Sequence, residues 1–501
     1  MSFSLSKTDY ILYRECPKNT WFKIHKPDLY YASGLSDFEK AIIETGNEVE
    51  LVARKLFPEG KLIEGRGIEA QRLTQDCLSK HEPILFQPAF SQEGFFAAVD
   101  ILKFDPVSNH HAIFEIKATS DIDEKVHLFD LAFQVVLLRR MGLEINEIGH
   151  IHLDPEYKRF GALNIQNLFK VEDVTAEVEE LIEEVSVQMI EALEYLSQEA
   201  EPRGSCCCIY KGRSNHCSTF KHSNPQVPEY SIHDLARIGN SKKKLIELVD
   251  MSIFHLQEIP EDTQLSDIQK NQLDTHLSGK VIRNIDEIRE ELDQLVFPLY
   301  FLDYETFPAA IPRFNGFSPY QQIPFQYSLH VLETPGGELE HRQFLFTESG
   351  DPSRDLAESL QQNIGATGSV IVWNKGFECG INEALGNRVL LSKSFLQSVN
   401  DRVFDLMDIF KKQHFVHKDF RGSTSIKRVL PVLAPELSYK DLEIHEGGTA
   451  SQSWNKLTTT EMSPEEKTKI AEDLGKYCER DTYAMYVIWK HLDEVCSGAA
   501  I

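Results

Sequence analysis

The stretch YFLDYETF, residues 300–307, surrounds two carboxylates, Asp303 and Glu305, with aromatic and aliphatic residues. Such flanks read as a buried strand, and residues two apart on a strand share a face. Two like charges side by side at the edge of a core are costly unless something neutralises them. A divalent cation would do so. A chain with this stretch is therefore expected to build a strand with one face closed over paired acids.

The rest of the chain must supply the surroundings. Its 501 residues exceed one ordinary core, so two or three domains are expected. With 42% apolar and 26% charged residues, the composition is that of a soluble globular protein. The opening, MSFSLSKTDYILYREC, has no basic start followed by an apolar run, and no segment has the length of a membrane span. A cytoplasmic protein without a membrane partner is expected. The net charge of −26 argues against a surface with general nucleic-acid affinity, but leaves room for local basic grooves.

Three parts are expected: residues 1–225, mixing helices and strands and ending in GSCCCIYKGRSNHCSTFKH; residues 226–296, polar and helical; and residues 297–501, alternating strands and helices. The fold class is multidomain α/β.

In the first part, GFFAAVDILKFDPVSNHHAIFEIKATS reads as two strands joined by a polar turn. Asp100 lies on the first, and Glu115 and Lys117 share a face of the second. Two carboxylates there would hold Mg²⁺, and the lysine would polarise an attacking water. The helical stretch KVHLFDLAFQVVLLRRMG brings Gln134. A half-buried hairpin with its polar residues in water is the plainer alternative. Together these residues resemble the PD-(D/E)XK nuclease superfamily, closest to the RecB-like branch with iron–sulfur CRISPR-associated exonucleases. The resemblance implies a restriction-endonuclease-like core with Asp100, Glu115, Lys117 and Gln134 at its site. The family often has a histidine on an early helix; ETGNEVELVARKLF has none, and Glu50 stands in its place.

Nine cysteines in a chain of this kind suggest ligation rather than disulfides where they cluster. One early cysteine, Cys16, plus a late group matches the iron–sulfur RecB-like pattern. That resemblance implies a 4Fe-4S cluster on Cys16, Cys206, Cys208 and Cys217, with Cys207 spare. A tetrahedral Zn²⁺ site and unliganded thiols are the alternatives. Cys77, Cys379, Cys478 and Cys496 read as small buried residues.

In the middle part, YSIHDLARIGNSKKKLIELVD reads as a helix, a break and a second helix, weakly similar to a helix-hairpin-helix, with Lys242, Lys243 and Lys244 as phosphate contacts. A helical spacer is the alternative.

The last part answers the opening question. SVIVWNKGFECGINEAL carries Asn374 and Glu378 after a strand, and KYCERDTYAMYVIWKHL places Tyr477 and Asp481 on one helix face. Asp303, Glu305, Glu378 and Asp481 would form a four-acid cage for two Mg²⁺ or Mn²⁺ ions, with Tyr477 orienting the attacking water. DYE, NKGFE and YCERD resemble the three motifs of the DEDD exonucleases, tyrosine subclass, which implies an RNase H-like mixed sheet. Glu378 stands where that family usually has Asp, which implies slower or Mn²⁺-dependent activity. FKKQHFVHKDFRGSTSIKRVLP interleaves Lys411, Lys412, Lys418, Arg421, Lys427 and Arg428 with Phe415 and Phe420, the pattern of a single-stranded nucleic-acid path, with a solvated loop as the alternative. The whole arrangement resembles a bacterial family of predicted nucleases. It implies DNA as substrate, single-stranded or from an end, with 3′-to-5′ exonuclease action in the last part. RNA as substrate, an adaptor with inert sites and an iron–sulfur redox sensor are the rival readings.

Overall fold

The computed structural model describes residues 3–32 and 34–498. The chain forms two compact units: Met1–Val227 with Ala310–Gln321, and Pro228–Ala309 with Gln322–Ile501. Both mix helices and sheets, a multidomain α/β architecture. No helix of the described residues is long and apolar enough to cross a membrane.

In the first unit, a six-stranded sheet runs in chain order: β1 (Lys61–Leu62), β2 (Ile84–Phe86), β3 (Ile101–Asp105), β4 (His110–Ile116), β5 (Ile145–Leu153) and β6 (Phe169–Asp173). Five helices matter to its site: α1 (Lys7–Glu15), α2 (Pro17–His25), α3 (Asp37–Ala53), α4 (His127–Arg140) and α5 (Thr175–Leu196). β4 and β5 are parallel, so the chain must cross between them, and α4 makes that crossover. α4 is apolar on nearly every side, as a helix buried around its circumference must be; Leu131 and Phe133 through Leu138, Gln134 excepted, join one core with Val178, Val185 and Met189 of α5. Two of its buried polar residues, Asp130 and Gln134, are four apart and share a face.

The second unit is built on a five-stranded sheet of β7 (Leu299–Pro308), β8 (Gln322–Leu332), β9 (Leu339–Leu345), β10 (Ser369–Val372) and β11 (Val403–Asp405), in the order β9-β8-β7-β10-β11. β7, β8 and β9 pair antiparallel, and β10 and β11 add in parallel. Its helices include α6 (Lys375–Arg388), α7 (Ile426–Leu433), α8 (Gly447–Thr459) and α9 (Pro464–Cys496). α9 begins at a capping box between Ser463 and Glu466 with Pro464 in the first turn, which satisfies the free amides of its start. β7 alternates as expected. Tyr300, Leu302 and Tyr304 enter a core with Leu356, Leu360 and Ile381. Phe301 packs its ring against Tyr486 and Trp489 of α9. Asp303 and Glu305 continue that second face, towards α9.

Residues 228–296 fold as part of this unit. The first helix expected in YSIHDLARIGN is instead two short 3₁₀ turns, Ile232–Asp234 and Ile238–Asn240. Arg237 between them adopts φ of 57°, a left-handed conformation that a continuous helix cannot contain.

Candidate metal centres

Ile101 of β3 pairs with Phe114 of β4, and this register sets Asp100 beside Glu115. Asp100 Oδ2 accepts from the amide of Ile116 at 2.8 Å. Lys117 Nζ donates to Glu115 Oε1 at 2.8 Å and Asp130 Oδ2 at 2.7 Å. Gln134 Nε2 donates to Glu115 Oε2 at 2.9 Å. Sequence reasoning missed two members, Lys7 and Asp130. Lys7 Nζ bonds both Glu115 oxygens at 2.8 and 2.9 Å and lies 3.9 Å from Asp100 and 4.0 Å from Asp130. Glu50 of α3 reaches the group at one remove: Gln87 Nε2 donates to both Glu50 and Asp100. Burial disfavours charge on Glu115, but Lys117 and Lys7 outweigh it and hold the carboxyl well below its usual range. Burial and the neighbouring Glu115 charge push Asp100 up to about 7. Two ammonium groups thus already face the three acids Asp100, Glu115 and Asp130.

The thiols of Cys16, Cys206, Cys208 and Cys217 converge, with every Sγ within 4.8 Å of the others. Cys16 follows α1 directly and caps α2, so two helices fix it. Cys217 Sγ lies 3.9 Å from Cys16 and 3.8 Å from Cys206. Asn224 Nδ2 donates to Cys206 Sγ at 3.1 Å. Cys207 is exposed and points to the carbonyl of Glu15 instead. A single tetrahedral ion with metal–sulfur bonds of ~2.3 Å sets its sulfurs about 3.8 Å apart. A four-iron cubane gives each thiolate its own iron and spreads the sulfurs further.

In the second unit, Glu305, Glu378 and Asp481 are buried and Asp303 is partly so. Asp303, Glu305 and Cys478 each bring one atom within 4.8 Å of the others; Cys478, read from sequence as a small buried residue, is buried and also borders the acids. Burial and the Asp481 charge push Asp303 well above the carboxylate range. Burial, Asp303 and Asp481 do the same to Glu305. Glu378, the first-turn residue of α6, is raised by burial and by all three other acids. Its Oε2 is buried without a hydrogen-bond partner. Asn374 caps that helix by accepting from the Phe377 amide. Asp481 is pushed up to about 6: burial raises it, and hydroxyl donors from Tyr439 and Tyr477 and the charges of Lys427 and Arg480 oppose. Tyr439 donates to Asp481 Oδ1 at 2.7 Å. Lys427 Nζ donates to Tyr477 Oη at 3.2 Å and to the His445 carbonyl at 2.8 Å. Burial and the acids push the Tyr477 phenol far upward, so it stays a hydroxyl donor. Tyr439 was missed because nothing in its local sequence marks it.

The expected single-stranded path departs from the structure. Phe415 and Phe420 are buried and pack at tilted and edge-on angles in one cluster with Phe410, so neither ring offers a base a face. Lys411 pairs with Asp405, Lys412 with Glu291 and Arg421 with Glu229. In the middle segment, Lys244 donates to Gln269 and Lys243 pairs with Glu247.

A family model described as a domain of unknown function (DUF2779) matches residues 300–425, a stretch that begins on β7 and includes Asp303, Glu305 and Glu378. The chain is 29% identical over 210 residues to the uncharacterized protein MG366 of Mycoplasma genitalium, and 26% identical over 212 residues to its homolog in Mycoplasma pneumoniae. Each match covers 38% of this chain and 31% of the relative, so the chain spans under a third of the length of the relatives it matches.

Proposed function

We propose that the protein is a divalent-metal-dependent nuclease hydrolysing phosphodiester bonds in DNA, on single strands or from ends, with a second-unit site that works from the 3′ end. One observation carries this reading. Four acids converge in the second unit, and Lys427 is the one cation whose charge acts on Asp303 and Glu305 among the described residues. Such a group is untenable in its ionised form unless cations join it. Carboxylate oxygens without nitrogen ligands suit hard ions such as Mg²⁺ or Mn²⁺. The unpartnered Glu378 Oε2 fits the same role. Asp303, Glu305, Glu378 and Asp481 would hold the ions, which would supply Lewis-acid stabilisation and an activated water at a phosphodiester. Tyr477, fixed by Lys427, orients that water through its hydroxyl, and Lys427 adds positive charge towards a phosphate.

The sheet order β9-β8-β7-β10-β11, with an antiparallel first half and parallel additions, supports an RNase H-like fold with Asp-x-Glu on its central strand. In the first unit, the β3–β4 pair, the α4 crossover and the group of Asp100, Glu115, Lys117 and Gln134 support a PD-(D/E)XK core. Cys16, Cys206, Cys208 and Cys217 hold a structural metal in this reading. The separations of Cys217 from Cys206 and Cys16, 3.8 and 3.9 Å, with all four sulfurs within 4.8 Å of one another, favour one tetrahedral ion, Zn²⁺ in class, over 4Fe-4S.

End-labelled single strands of DNA and RNA, with Mg²⁺ or Mn²⁺, test the reading in wild type, Asp303→Ala and Asp100→Ala. DNA shortened from its 3′ end by wild type, with the trimming lost in Asp303→Ala, is expected. Cleavage unchanged in both variants overturns both site assignments. Faster trimming of RNA reassigns the substrate, and no cleavage by wild type leaves the adaptor reading.

A further inference from the structure

The α9-facing side of the second sheet carries a further polar group. The β8–β9 register sets His330 directly opposite His341, with ring centroids 4.6 Å apart. Glu479 of α9 completes a trio in which one ligand atom from each residue lies within 4.8 Å of the others. His341 Nδ1 is 3.8 Å from Glu479 Oε1.

Both imidazoles are oriented from behind. Thr482 Oγ1 lies 2.8 Å from His330 Nδ1, and Ser328 Oγ lies 2.9 Å from His341 Nε2. The two hydroxyls are 2.7 Å apart and hold each other. This leaves His330 Nε2 and His341 Nδ1 for a ligand. Metal-binding histidines are characteristically fixed in this way, through the nitrogen that does not bind.

We propose that His330, His341 and Glu479 bind one zinc-class ion, separate from the four acids. Two imidazoles and a carboxylate suit Zn²⁺ and its transition-metal neighbours rather than Mg²⁺. Three protein ligands leave a position for water. The ion fastens α9 to β8 and β9. Thr482 follows Asp481 in the chain, and Ser328 pairs across the sheet with Asp303, so the ion braces α9, which carries Asp481, and β8, the strand paired with the one that carries Asp303.

The test titrates Zn²⁺ by calorimetry in excess Mg²⁺ into the full chain with its four-cysteine site already loaded with Zn²⁺, with Co²⁺ absorption as a second readout. Beyond the ion on the four cysteines, wild type is expected to take one further ion with a Co²⁺ spectrum of nitrogen and oxygen ligands, lacking thiolate charge transfer. Glu479→Gln, at a half-exposed side chain, and His341→Ala are expected to lose that ion. Ser328→Ala is expected to weaken it ~10–100-fold, the range for an orienting partner. Asp303→Asn is expected to keep it, which separates this site from the acids. Unchanged Zn²⁺ stoichiometry and affinity in both Glu479→Gln and His341→Ala overturns the proposal, as does a wild type that takes no such ion.

Discussion

Asparagine at position 481 should stabilise the second unit in the absence of divalent cations and abolish cleavage. Asp481 rises from an ordinary 3.8 to about 6 on folding. Ionising it in the fold therefore costs ~3 kcal/mol at any pH above 6. Asparagine removes that cost and keeps an oxygen for the Tyr439 hydroxyl; the stronger hydrogen bonds of the charged form are already counted in the shift, because the Tyr439 and Tyr477 hydroxyls oppose it. A net gain of about 3 kcal/mol follows. The sign follows from linkage: the folded state holds the proton more tightly than the unfolded chain, so wild-type stability falls as pH rises from about 4 to 6 and stays lost above. The gain of Asp481→Asn over wild type is thus full at pH 8 and disappears near pH 4. Urea unfolding followed by tryptophan fluorescence reads mostly this unit, which holds Trp373, Trp454 and Trp489 against Trp21 in the other. A variant no more stable than wild type at pH 8, or a gain that does not change with pH, refutes the reasoning.

Other outcomes follow from the same geometry. Lys7→Met strips Glu115 of two charge-assisted bonds and should destabilise the first unit by ~3–5 kcal/mol in urea unfolding, with partial recovery in Mn²⁺. Cys206→Ser should lose bound metal by elemental analysis and lower the melting temperature of the first unit, whereas Cys207→Ser should change neither. Mn²⁺ affinity for the second unit, read by calorimetry, should fall as pH drops through about 6, because a proton on Asp481 competes with the ion.

What could be read from the chain was whatever depends on short spacings. Period two put Asp303 and Glu305 on one side of a strand, and four-residue spacing put Tyr477 and Asp481 on one side of a helix. Glu115 and Lys117 belong to the same class. Members that arrive from far along the chain were invisible. Lys7 meets Glu115 across 108 residues, and Tyr439 meets Asp481 from a segment with no motif. His330 and His341 come together only because the turn between β8 and β9 fixes a register, and register is not written in composition. The basic stretch with Phe415 and Phe420 misled for a related reason: an aromatic residue beside lysines looks the same in sequence whether its ring faces a base or the core. The middle segment misled through one backbone angle, at Arg237.

Crystals soaked in Mn²⁺ and measured near the manganese absorption edge test most directly whether the acids of the second unit hold divalent cations. An anomalous peak is expected among the carboxylates of Asp303, Glu305, Glu378 and Asp481, and it should vanish in Asp303→Ala. A map with no peak among these four carboxylates at saturating Mn²⁺ contradicts the account.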